Sequence, residues 1–96
     1  MLKHVVLMKF KKDLQPGAID QLEQGLGALP AVIGEIKQYE FGRDVIGSGR
    51  SYDFALISGF DDLAAMKRYQ SHPEHQQVLR HVLKICDGIL AVDFEV

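Results

Sequence analysis

Hydrophobic and polar residues alternate in four stretches of the chain, and alternation with a period of two is typical of β-strands. In the first stretch His4, Val6 and Met8 form one alternating set, and Val5 and Leu7 belong to the other. The four predicted strands are Leu2–Lys11, Glu35–Val45, Tyr52–Phe60 and Ile89–Val96. The first, third and last of them carry apolar residues in both sets, which predicts a sheet with two apolar faces.

Between the first two strands, apolar residues recur at spacings of three and four, as on one face of an α-helix. These positions are Ile19, Leu22, Leu26 and Leu29. Pro16 suits the first turn of this helix and Pro30 marks its approximate end. Gly25 and Gly27 weaken a helix by up to ~1 kcal/mol each relative to alanine, so we expect a reason such as close packing on the sheet.

Two more helices are predicted between the third and fourth strands. Asp61 and Asp62 are good N-cap and first-turn residues. The apolar face of the second helix comprises Leu63, Met66 and Tyr69. Pro73 disfavours helical geometry at His72 and is comfortable at a helix start, so a third helix begins there. Asp87-Gly88 closes this third helix.

The resulting order β-α-β-β-α-β is the signature of a ferredoxin-like α+β sandwich, and we expect residues 1–96 to form a single domain of this kind. The Gly47–Ser51 segment between the middle strands resembles a phosphate-binding loop only superficially, because no helix begins directly after it. It is interpreted as a hairpin connection.

The helices of such a sandwich cover one face of the sheet, which leaves the second apolar face without cover. Burying an apolar side chain contributes ~1.5–3 kcal/mol, so a wet apolar face is unfavourable. The simplest cover is a second copy of the same sheet. The sequence therefore predicts a two-fold homodimer with its sheets face to face.

Composition excludes several classes of protein. A formal net charge of −2 gives no electrostatic signature of nucleic-acid binding. The third strand lacks the basic residues that RNA-recognition sheets carry beside their aromatics, although the order of elements is the same. A lone cysteine, Cys86, fits a reducing compartment, and neither a signal peptide nor a membrane span is apparent. We therefore expect a cytoplasmic protein that binds neither nucleic acid nor membrane.

Candidate chemistry is concentrated in the segment Tyr69–His75, where a phenol and two imidazoles flank the helix break. His75 could act as a general base, and Tyr69 could donate a hydrogen bond to a developing enolate. The alternatives are a solvated histidine at a helix start and a core aromatic. His72 is interpreted as a turn or cap residue. His4, on an apolar strand face, must either line a cavity or find an internal partner. No recognised spacing of metal ligands accompanies these histidines.

Four segments together resemble a known family. They are His4–Lys11, Phe41–Val45, Tyr69 with His72–His75, and Val92–Phe94. The chain resembles, over essentially its whole length, the Dabb family of stress-responsive A/B barrel domains within the dimeric α+β barrel superfamily. That resemblance implies a homodimer.

Within the family, the chain is similar to plant polyketide cyclases of the olivetolic acid cyclase type. The similarity implies a catalytic pair at Tyr69 and His75, a cavity histidine at His4, and no metal or organic cofactor. The first helix offers Leu22, Glu23 and Leu26 where those cyclases have a tyrosine-bearing pocket, so a different substrate is expected.

Two functions remain open from the sequence. The first is binding of a small molecule in the barrel cavity, with cofactor-free acid/base chemistry of a cyclase, lyase or isomerase kind. The second is a non-catalytic, stress-associated structural homodimer.

Overall fold

The computed structural model describes residues 1–96, which fold as four antiparallel strands and three helices. In chain order the elements are β1 (Leu2–Phe10), α1 (Ala18–Val32), β2 (Gln38–Arg43), β3 (Phe54–Phe60), α2 (Leu63–Ser71), α3 (Pro73–Ile85) and β4 (Cys86–Glu95). The sheet has the order β2-β3-β1-β4. The predicted ferredoxin-like α+β fold is confirmed, with its second helix divided into α2 and α3.

β1 runs through the centre of the sheet, between β3 and β4. Its inward set, which includes His4, Val6 and Met8, is buried. This set packs against the buried positions Leu22, Leu26 and Leu29 of α1. Strand alternation on one side and helical spacing on the other therefore build the core that the sequence predicts.

The outward face of the sheet is apolar and uncovered. The side chains that are more than one third exposed on this face are Leu7, Ile57, Leu90, Val92 and Phe94. The paired registers place them side by side, with Leu7 opposite Leu90 and with Ile57 and Val92 on either side of Val5. The prediction of two apolar faces is confirmed by this arrangement.

Both ends of α1 differ from the prediction. The helix begins at Ala18 rather than near Pro16, because Gly17 adopts a left-handed conformation with φ +85° and accepts the first helical hydrogen bond from Gln21. The helix also continues through Pro30 to Val32. A proline in the last turn removes one backbone donor, and the buried Ile33 still donates to Leu29 to close the helix.

The start of β4 was also predicted wrongly. Asp87-Gly88, expected to close α3, lies within the strand, which follows the helix directly at Cys86. Pairing of Cys86 with Phe10 and of Gly88 with Lys9 holds this segment in the sheet, across a register shift in β1.

Smaller differences affect the hairpin and α2. β1 ends one residue earlier than predicted. β2 begins three residues later than predicted, at Gln38, and the connection between β2 and β3 is longer than predicted because it runs from Asp44 to Asp53. The connection is a hairpin, as expected, with Gly47 at φ +70° and the Asp44 carboxylate accepting from its backbone N–H. Leu63, predicted on the apolar face of α2, is 49% exposed.

No helix in the structure has the length and apolar character required to cross a bilayer.

Candidate functional site

A cavity of about 260 Å³ lies between the inner face of the sheet and helices α2 and α3. Its lining is mostly apolar and contains no Lys, Arg, Asp or Glu. The polar groups in it are His4, Tyr69, Gln70, His75 and Gln76. The structure therefore brings the distant His4 together with Tyr69 and His75, so that all three candidate site residues line one cavity.

A groove of about 560 Å³ lies elsewhere on the surface, near the end of β1. It is larger but more open, and it is lined by lysines, Arg43 and two aspartates rather than by any of the candidate residues. A shielded cavity with a few convergent polar groups is the more typical ligand site, so the smaller volume is the candidate.

The break between α2 and α3 determines the orientation of His75. In an uninterrupted helix the carbonyl of Gln70 would accept from the N–H of Glu74. Glu74 N–H instead donates to Nδ1 of His72, 3.1 Å away. His72 is thus the N-cap of α3, as the sequence predicts, and the Gln70 carbonyl is left without its helical donor.

The imidazole of His75 forms a hydrogen bond with the Gln70 carbonyl that this break leaves free. Its Nδ1 lies 3.1 Å from the Gln70 oxygen, and the side-chain amide of Gln76 donates to the same oxygen. Since a carbonyl can only accept, Nδ1 must carry the hydrogen. In the neutral ring, Nε2 is therefore the nitrogen with the free lone pair.

Burial is the main influence on the charge of His75. It lowers the pKa of His75 below the ordinary value, because desolvation disfavours the imidazolium. The hydrogen bond to Gln70 acts in the opposite direction, and repulsion from His4 and His72 lowers the pKa further. At neutral pH the side chain is thus a neutral base.

Tyr69 lies in the last turn of α2 and is 1% exposed. Its ring packs against Phe60, with centroids 4.9 Å apart, and against His75, with centroids 4.4 Å apart. Burial raises the pKa of Tyr69 to about 12, so the phenol remains protonated at neutral pH. Tyr69 is therefore a core aromatic, which is the alternative considered above. It also lines the cavity beside the His75 imidazole.

His4 also satisfies both interpretations made from the sequence. It lines the cavity, and its Nδ1 contacts the carboxylate of Asp93, which lies directly opposite on β4. An ionised carboxylate accepts, so Nδ1 carries the hydrogen, and in the neutral form of the ring Nε2 has the free lone pair. Sequence reasoning missed Asp93 because the partner of His4 depends on the register of two strands separated by most of the chain.

Other expectations about the site need correction. Of the three α1 positions proposed to reshape the pocket, Leu26 lines the cavity. Leu22 is fully buried in the core, and Glu23 forms an ion pair at 2.8 Å with Arg43. Gln70 and Gln76 were missed, and their only sequence signal was their position beside the helix break.

The histidines do not converge on a metal site in this structure. His81 Nε2 lies 2.9 Å from the carbonyl of Ala18, away from the cavity. No group of three or more His, Cys, Asp or Glu side chains is arranged to hold a metal ion.

Comparison with known proteins agrees with the resemblance found in the sequence. Residues 2–96 match the model of the stress responsive A/B barrel domain. Stress-response A/B barrel domain-containing protein HS1 of Arabidopsis thaliana is 29% identical over 96 residues, covering 98% of this chain and 88% of that protein.

Solved structures with the same fold include a dimeric ferredoxin-like protein of unknown function from Thermobifida fusca. It is 30% identical with a TM-score of 0.90, and the match covers 99% of this chain and 90% of that one. Hydroxynitrile lyase from Passiflora edulis shares the fold at 20% identity with a TM-score of 0.88, over 99% of this chain and 92% of the enzyme. The chain belongs to the stress-responsive A/B barrel domain family, and its resemblance to that family is thereby confirmed.

Proposed function

We propose that the cavity binds a small neutral molecule and that His75 and Tyr69 carry out cofactor-free acid/base chemistry at a carbonyl of that molecule. The observation that carries the proposal is the hydrogen bond from His75 Nδ1 to the Gln70 carbonyl. It supports a base role because it holds the hydrogen on Nδ1, which leaves Nε2 of the neutral ring with a free lone pair. A reaction of the cyclase, lyase or isomerase kind needs such a base to remove a proton next to a carbonyl.

Tyr69 supplies the complementary group. A protonated phenol in a mostly apolar cavity can donate to a carbonyl oxygen, and that hydrogen bond strengthens as negative charge develops on the oxygen. The ring contact between Tyr69 and His75 supports the proposal that the two side chains act as a pair. The pair therefore matches the two ends of a carbon acid, with the proton leaving from one atom and charge accumulating on another.

The remaining lining supports a preference for compact, uncharged ligands. His4 contributes a second imidazole, which Asp93 holds in one orientation. Without a lysine, arginine or carboxylate in the lining, the cavity has no fixed charge to pair with an ionic substrate. We assign His4 the role of binding the ligand rather than taking its proton.

Hydrogen–deuterium exchange of a simple ketone tests this proposal. The protein is incubated with 2-heptanone in D2O at neutral pH, and loss of the α-proton signals is followed by NMR. We expect the parent protein to accelerate exchange. His75→Gln and Tyr69→Phe should each reduce that acceleration at least ~100-fold, the lower end of the range for loss of a general base or of a hydrogen-bond donor to a developing oxyanion.

His81→Gln is the matched control, because His81 binds a backbone carbonyl outside the cavity and glutamine can still donate to it. It should exchange the ketone as the parent does. Equal rates in the parent, His75→Gln and Tyr69→Phe proteins would contradict the proposed chemistry.

The second candidate function is a non-catalytic structural homodimer. It is favoured by the uncovered apolar face of the sheet, which includes Leu7, Val92 and Phe94. Related proteins from Thermobifida fusca and Bacteroides fragilis are described as dimeric. We propose that this chain also forms a homodimer through that face, whether or not the cavity is active.

A native mass spectrum of the purified protein tests both functions. A dimer that retains a small molecule supports ligand binding in the cavity, and a bare dimer without ketone exchange supports the structural homodimer.

A further inference from the structure

The lining of the cavity that holds His75 is most exposed to solvent along one strand, β4. Val6, Leu56 and Tyr69, which line the cavity from β1, β3 and α2, are each at most 9% exposed. Ile89 of β4 also lines the cavity but is 39% exposed, and Ala91 of the same strand is exposed as well. The cavity therefore opens to solvent along β4.

The topology of the sheet explains this opening. β4 is an edge strand, and its inward residues Ile89 and Ala91 lie opposite Met8 and Val6 of β1. The two β1 residues are buried beneath the helices, whereas their neighbours on the edge strand are not. α3 ends at Ile85 and β4 begins at the next residue, so the two elements meet there and diverge beyond it. The cleft between α3 and β4 is thus the mouth of the cavity.

The mouth is apolar and narrow enough for one side chain to matter. Leu79, half-buried on α3, lines it from the helical side, and Ile89 and Ala91 line it from the strand. Ala91 has the smallest side chain in the whole lining. A larger residue at this position would project from the edge strand towards α3 and narrow the mouth.

The size of the cavity limits how much of a ligand it can enclose. Its volume of about 260 Å³ is below the roughly 300–1,000 Å³ of sites that bury a drug-sized molecule. A ligand with more than a compact carbonyl group must therefore extend through the mouth. Moving one methylene group from water to apolar surroundings strengthens binding about fourfold, so an apolar mouth favours a hydrocarbon chain.

We propose that the ligand is a carbonyl compound with an unbranched apolar chain, that this chain leaves the cavity between α3 and β4, and that Ala91 determines how well the chain is accommodated. The position of the carbonyl beside His75 rests on the proposed function, whereas the path of the chain does not. Ala91 contacts the chain and not the reacting atoms, so it sets specificity for ligand length.

Binding of two methyl ketones of different length tests the proposal without any turnover. 2-Butanone and 2-nonanone are titrated into 15N-labelled protein, and each Kd is measured from amide chemical shifts. The parent should bind 2-nonanone at least ~100-fold more tightly, because it has five more methylene groups. Ala91→Phe should weaken binding of 2-nonanone at least ~10-fold, as loss of two or more buried methylenes would, and change that of 2-butanone less than ~2-fold.

Ala31→Phe is the matched control, because Ala31 is an exposed alanine of α1 outside the cavity lining. It should bind both ketones as the parent does. Ala91→Val replaces Ala91→Phe if the larger residue prevents folding, since a β-branched residue suits a strand, and it should weaken 2-nonanone selectively by a smaller factor.

The outcomes separate this proposal from the proposed chemistry. Equal weakening of both ketones by the Ala91 variants, or no weakening of either, would overturn the path of the chain even if the parent exchanges ketone protons. Selective weakening of 2-nonanone without any proton exchange would support the path and contradict the chemistry. A parent that binds neither ketone would overturn both.

Discussion

His75 and Gln70 are joined across the break between two helices, with Nδ1 of the imidazole 3.1 Å from the backbone oxygen. The break exists because Pro73 ends helical geometry at His72, whose side chain then takes the amide that Gln70 would otherwise bind. The helix break that Pro73 causes thus determines which nitrogen of the His75 imidazole carries the hydrogen. The fold orients this imidazole by leaving one backbone carbonyl without its usual donor.

The partial burial of His75 makes stability depend on pH. The pKa of His75 in the folded protein lies below the ordinary 6.5 of an unfolded chain. Between these two values the unfolded chain binds a proton that the folded protein resists, so the free energy of unfolding falls as the pH drops below about 6.5. His75→Gln should make this dependence shallower, as measured by urea unfolding at pH 7.5 and pH 5.

The control for this measurement is His81→Gln, which removes an imidazole that lies outside the cavity. It should retain the part of the pH dependence that comes from His75. If His75→Gln and the parent lose equal stability on acidification, the pKa of His75 is not lowered by burial in the folded protein.

Asp93 is predicted to stabilise the fold through His4. Asp93→Ala leaves the buried Nδ1 of His4 without its partner, and we expect a loss of about 1–2 kcal/mol, reduced from the value for a fully buried charged pair because the Asp93 side chain is partly exposed. Glu95→Ala, two residues along the same strand, is the control and should stay within ~0.5 kcal/mol of the parent. Guanidinium unfolding of both variants measures the difference. Equal, small losses would mean that the contact contributes little.

Local periodicity explains why most of the fold was predictable. The alternation around Val6 and the three- and four-residue spacing around Leu26 are each encoded within a short segment. Element ends were harder, because they depend on distant contacts. Cys86 joins β4 only because Phe10 lies opposite it, and Pro30 remains in α1 because Leu29 and Ile33 anchor its last turn in the core.

The candidate site was predictable where it depended on one segment and unpredictable where it depended on register. Tyr69 and His75 share a helix break that is visible in the sequence. Asp93 pairs with His4 because β1 and β4 are antiparallel in one particular register. No local pattern carries that information.

Gly25 and Gly27 should respond differently to alanine. A Cβ on Gly27 would lie 3.9 Å from the Phe41 ring, an ordinary contact, so Gly27→Ala should stabilise the protein by about 0.5–1 kcal/mol through helix propensity. A Cβ on Gly25 would lie 3.2 Å from the Val78 side chain of α3, so part or all of that gain should be lost. Gly25 therefore packs on a helix, not on the sheet as predicted. Equal urea midpoints for the two variants would contradict this distinction.

Val92 provides the sharpest test of the homodimer, because its side chain is 63% exposed at the uncovered face of the sheet. In a two-fold interface each substitution occurs twice, so Val92→Lys would bring two uncompensated charges into an apolar contact and weaken dimerisation by at least ~100-fold. Leu83→Lys is the matched control, since Leu83 is 60% exposed on α3, in the helical layer. Sedimentation velocity at micromolar concentration should show a dimer for the parent and Leu83→Lys, and a monomer for Val92→Lys. A dimer in all three would place the interface on another surface.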